Sequence, residues 1–184
     1  MKFLSVATLL IIAPSLAIAE TYSIDRQPDG PFAFTISSVK INEGSTLTRE
    51  SILFNDPECP VSIQSHSTKI VYKDRRFQFS SNSSLQIKSP VVALQVRTIL
   101  YDVFGQQMKN LANSEPRDFS VGQSNLDGQW RASENDVTEL LTTVTYVARV
   151  RLADGSQWIY DMENLRTALG SLDLEQKIGE DAGE

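Results

Sequence analysis

The chain has 184 residues, 17 Lys and Arg against 23 Asp and Glu, a net charge of −6 and 41% hydrophobic residues. That balance leaves no positive footprint for nucleic acid, and the single cysteine, Cys59, excludes an internal disulfide. One Cys and one His cannot supply a zinc ligand set, so neither metal nor cofactor is expected.

The first residues, "MKFLSVATLLIIAPSLAIAE", place one Lys before an apolar run that Pro14 breaks, with small residues at Ala17 and Ala19. This is the three-part pattern of a secretory signal peptide over residues 1–19. The run is shorter than the ~20 residues that span a bilayer, so no integral membrane segment is expected after cleavage. The mature chain would begin at Glu20, run for about 165 residues and carry a net charge near −7, since Lys2 departs; that length suffices for one domain with a core. An exported chain with one thiol must hold its core without disulfides, which favours a bacterial envelope protein, periplasmic or secreted. Residues 20–31, "ETYSIDRQPDGP", read as a polar lead-in ending in a turn.

Runs with a period of two then fill residues 32–161, the predicted sandwich domain. "FAFTISSVKI" sets Phe32, Phe34 and Ile36 on one face. "KIVYKDRRFQFSS" reads as two short strands about Lys73-Asp74, and in "SLQIKSPVVALQVRTILYDVFG" Leu94, Val96 and Leu100 share a face opposite Gln95 and Arg97. Turn residues recur at 42–44, 55–57, Gly122 and Asp127-Gly128. Short alternating strands punctuated this way indicate an antiparallel β-sandwich or barrel.

"CPVSIQSH" holds Cys59 and His66 seven residues apart. An extended chain separates them by roughly 23 Å and points them to opposite faces, so they are not expected to form a catalytic pair. Cys59 reads as buried between Pro57 and Pro60, and His66 as a surface or turn residue; "QSHST" lacks the setting of a nucleophile elbow. "QSNLDGQWRASE" matches part of a calcium loop, with Asn125, Asp127, Gly128 and Glu134 in place, but Gln123 stands where the first carboxylate belongs. A polar loop turning at Asp127-Gly128 is the expectation. Trp130, in that polar stretch, either stacks on a sugar or partner or staples the loop to the core.

"YVARVRLADGSQWIYD" permits two hairpin registers. A two-residue Asp154-Gly155 loop sets Trp158 and Tyr160 across from Arg151 and Arg149, whereas a three-residue loop with Gly155 left-handed pairs Val150 with Trp158 and Ala148 with Tyr160. Slipping by one residue exchanges the faces. Val144, Tyr146, Ala148, Val150 and Leu152 already form an apolar face, so the second register, with both aromatics in the core, is favoured. Arg149 and Arg151 then point outward, toward solvent or an acidic or peptide partner. Residues 162–184 are expected to form an amphipathic helix, capped by Asp161 and burying Leu165, Ala168, Leu169 and Leu172, followed by the acidic tail "GEDAGE".

"VRTILYDVFGQQMKNL" resembles the FxLYD family in its Leu100-Tyr101-Asp102, following aromatic and Gly105, with Thr98 at the family's Phe position. The resemblance implies an Ig-like β-sandwich module of exported prokaryotic proteins with no established general activity. The motif also has a local account: Leu100 faces inward, Asp102 accepts backbone N–H bonds at the strand end, and Gly105 permits the turn.

The resulting expectation is an all-β, Ig-like antiparallel sandwich with a short C-terminal helix. Its function reads as non-enzymatic binding of an envelope or secreted protein, with Trp130, Arg149 and Arg151 as candidate contact residues. The alternative is a carbohydrate- or calcium-binding domain built on Gln123–Glu134.

Overall fold

The computed structural model describes residues 21–26, 34–42, 45–48 and 50–176, the first three segments and Lys73 as backbone only. The expected signal peptide, Phe32 and the tail "GEDAGE" lie outside the described residues.

The elements in chain order are β1 (Thr21–Arg26), β2 (Phe34–Asn42), β3 (Ser45–Thr48), β4 (Glu50–Phe54), β5 (Val61–Lys73), β6 (Arg76–Ile87), β7 (Val91–Asp102), β8 (Gln107–Glu115), β9 (Gly122–Arg131), α1 (Glu134–Glu139), β10 (Leu140–Leu152), β11 (Gln157–Ile159) and α2 (Met162–Gly170). One sheet has the order β1-β2-β5-β6-β9 with β3 also on β2; the other has the order β11-β10-β7-β8 with β4 also on β10. The expected β-sandwich is therefore present. It departs from an all-antiparallel arrangement at one place, since β4 runs parallel to β10. β1, inside the stretch read as a lead-in, pairs with β2.

Between the sheets lie two apolar clusters. Cys59, Val61, Ile63, Leu85 and Ile87 meet Leu94, Val96, Val147 and Val150 in one. Ile70, Phe79, Leu100, Leu111, Val137 and Leu140 form the other. A third cluster lies on the outer face of the second sheet, where Leu165 and Leu169 of α2 cover Ile99, Tyr101, Val144 and Tyr146. Each of these leucines is fully buried, a contribution of about 1.5–3 kcal/mol apiece. The expected C-terminal helix thus packs its apolar stripe on its own sheet.

That packing corrects the expected single apolar face of β10. Val147 pairs with Val96 and Arg149 with Gln95, so Ala148 is an extra residue, a β-bulge. Val144, Tyr146 and Ala148 face α2, whereas Val147 and Val150 face the other sheet. Two buried faces, not one, explain why Thr142 to Ala148 are buried without alternation.

Local chemistry fixes the turns. Leu152 N–H donates to Ser156 O, Gly155 has φ +88°, and Val150 pairs with Trp158; the three-residue register is the one that forms. Asp102 Oδ1 accepts N–H bonds from Phe104 and Gln106, each at 2.8 Å, and Gly105 has φ +76°. Asp161 caps α2 through Glu163 N–H at 2.9 Å, but the helix ends at Gly170, which leaves Leu172 exposed.

Where only one helix was expected there are two. Ser133 and Asp136 form a reciprocal capping box on α1, and buried Asp136 also accepts from Lys109 Nζ at 2.5 Å. The Ser-x-x-Asp spacing at 133–136 was the signal for it.

Candidate functional site

α2 covers only part of the outer face of the second sheet. Beyond it, cross-strand register aligns Ser114, Gln95 and Arg149 in one row and Ala93, Arg151 and Gln157 in the next. Small Ala93 between longer neighbours leaves a depression of about 350 Å³, lined by Ala93, Gln95, Ser114, Pro116, Arg151 and Gln157 among others. Arg149 and Arg151 are exposed at it, as the alternation required. Val150 between them points inward, so both guanidinium groups rise from one face.

Gln95 ties this surface together. Its Oε1 accepts Nε–H from Arg149 at 3.2 Å and from Arg97 at 3.4 Å, while its Nε2 donates to Ser114 Oγ at 2.8 Å. Arg97 is half-buried one row closer to α2, across from Tyr146. Burial pushes the Tyr146 phenol up, and Arg97 opposes that shift. None of Arg97, Arg149 and Arg151 forms an ion pair among the described residues. Glu115, which also lines the depression, pairs with Arg117 at 3.5 Å.

Trp130 lies elsewhere and in a different setting from the one expected. The stretch read as a polar loop is strand β9, in register with β6. Alternation along it leaves Asn125 and Asp127 exposed on a strand, and Asp127 Oδ1 accepts from Asn82 Nδ2 at 2.6 Å. An extended strand cannot wrap an ion, so the calcium-loop geometry does not form. The Trp130 indole lies over Gly128, and its Nε1 donates to Ala112 O at 3.3 Å. With Asn113 Nδ2 on Asp127 O and Arg117 on Asn125 O, at 2.8 and 2.9 Å, this stitches the edge strands β8 and β9 of opposite sheets together. Trp130 is a staple between the sheets and does not line the depression at Arg149 and Arg151.

Cys59 is buried as expected, and burial pushes its thiol up to about 11. His66 corrects its expectation: it sits within β5 on the inner face, with Nδ1 on Ser83 Oγ and Nε2 on Thr68 Oγ1, both at 2.8 Å. A serine–histidine hydrogen bond invites a catalytic reading. Ser83 is only 2% exposed and the second nitrogen meets a hydroxyl rather than a carboxylate, so the geometry offers neither access nor an orienting acid.

The sequence found Arg149 and Arg151 but missed Gln95, Arg97, Ala93 and Ser114. Only strand pairing brings these four beside them. Comparison with known protein families, with curated proteins and with solved structures finds no match to this chain.

Proposed function

We propose that the chain is an exported, non-enzymatic β-sandwich module of FxLYD type that binds a protein partner in a bacterial envelope or secreted from it, using the open half of its second sheet. The observation that supports this reading is the pair Arg149 and Arg151, exposed beside a depression and without a carboxylate partner among the described residues. Unpaired cations on a rigid sheet face, in a chain with net negative charge, are suited to a complementary acidic surface. The β8–β9 stitching favours use of a face over use of that edge, because the carbonyls of Asn125 and Asp127 are already occupied.

Site-specific photo-crosslinking tests the reading. A photoreactive residue at Gln157 should give one discrete adduct in envelope extract, absent at Asp127 on the other sheet and lost with Arg149→Glu/Arg151→Glu. Equal adducts at both positions, or an adduct indifferent to the double variant, would remove the proposed face.

A further inference from the structure

The side-chain geometry around Gln95 goes one step further, and it rests on the binding reading above. Both Arg97 and Arg149 direct Nε–H at the same amide oxygen, and the bond from Gln95 Nε2 to Ser114 Oγ holds that amide in the orientation this needs. With each Nε engaged, the terminal Nη groups of both arginines keep their donors unused among the described residues. Two like charges drawn against one neutral oxygen repel, and among the described residues neither arginine forms an ion pair that would offset them. Such a pair is organised for an oxyanion that arrives from outside, which planar guanidinium groups bind through paired N–H donors.

We propose that Gln95 organises Arg97 and Arg149 into a carboxylate receptor, and that the carboxylate belongs to an extended acidic segment of the partner polypeptide. Two features favour a peptide over a free anion. Arg151 repeats the positive charge two residues along β10 on the same face, roughly 6.8 Å away, which matches alternate side chains of an extended chain. The depression beside them, next to the three-residue strand β11, sets apolar Ala93 and Pro116 among polar Ser114, Glu115 and Gln157, a lining suited to the backbone and mixed side chains of a peptide. An acidic-x-acidic segment fits this spacing, one carboxylate on the Arg97–Arg149 pair and the next on Arg151.

The probes are the peptide Thr-Glu-Thr-Glu-Thr with blocked ends, its Gln counterpart and inorganic phosphate, each titrated into the full chain at low ionic strength while the arginine Nε–Hε resonances are followed. The Glu peptide should shift Arg97 and Arg149 saturably, and the Gln peptide should not. Gln95→Glu, of the same shape, places an internal carboxylate between the arginines and should weaken peptide binding about tenfold or more, without lowering the melting temperature. Absence of a saturable shift with the Glu peptide overturns the proposal, as does phosphate binding as tightly as the peptide. A crosslinked partner lost in Arg149→Glu/Arg151→Glu but kept in Gln95→Glu would also overturn the receptor while leaving the binding face standing.

Discussion

Thr98 and Thr145 face each other across β7 and β10 with their Oγ1 atoms 3.1 Å apart, fully enclosed between the two apolar clusters of the sandwich interior. Each hydroxyl is the other's partner in a place water does not reach.

Removing one hydroxyl strands the other. Thr98→Val should cost about 1–3 kcal/mol, because Thr145 then keeps a buried, unbonded oxygen. Thr98→Val/Thr145→Val should return close to the parent stability. Urea denaturation of the four proteins gives the coupling directly, and simple additivity of the two single changes would show that the pair does not interact.

Gly128 lies directly under the Trp130 indole. A Cβ there would come within 2.1 Å of Trp130 Cη2 and 2.9 Å of Ser81 Oγ. Gly128→Ala should therefore lift the indole off, cost about 1–3 kcal/mol, and shift Trp130 emission to the red. The measurement is made in a Trp158→Phe background so that one indole reports. Unchanged emission would mean that β9 gives way instead of the ring.

The β5–β6 hairpin turns through Asp74 and Arg75 at φ 52° and 63°. Both residues are left-handed, as this tight turn demands, yet neither is glycine. Arg75→Gly removes the Cβ clash and should raise stability by about 0.5–1 kcal/mol, read as an increase of a few degrees in Tm by calorimetry. A lower Tm would indicate that the Arg75 side chain contributes more than its backbone costs.

Burial pushes the His66 imidazole down to about 4 from its ordinary 6.5. Between those values the unfolded chain binds a proton that the folded chain does not, so stability falls as pH drops through that window. Above pH 6.5 both states are neutral there and the residue adds no slope. His66→Gln should flatten this limb, with denaturant midpoints of parent and variant diverging from pH 7 to pH 4.5. Parallel midpoint curves would show that carboxylates alone account for the acid limb.

Much of the fold was legible because its causes are local. The hairpin register followed from one apolar face and the left-handed Gly155. The Asp102 turn and the Asp161 cap followed from side chains that reach backbone two to four residues away. Strand β9 was hidden by its polar residues and Gly128, whose missing side chain is supplied from above by Trp130. The capping box of α1 is written in Ser133 and Asp136, but the neighbouring polar residues mask its spacing.

What the amino-acid order determined by itself was the alternation that makes two sheets, and the outward direction of Arg149 and Arg151. Tertiary structure alone decided that Ala148 bulges, that α2 buries one half of an outer face and leaves the other open, and that Gln95 stands between two arginines 52 positions apart in the chain. The physical reason is that periodicity encodes which side of a strand a residue takes. Its neighbour across the sheet is set by pairing register, which depends on every contact the two strands make.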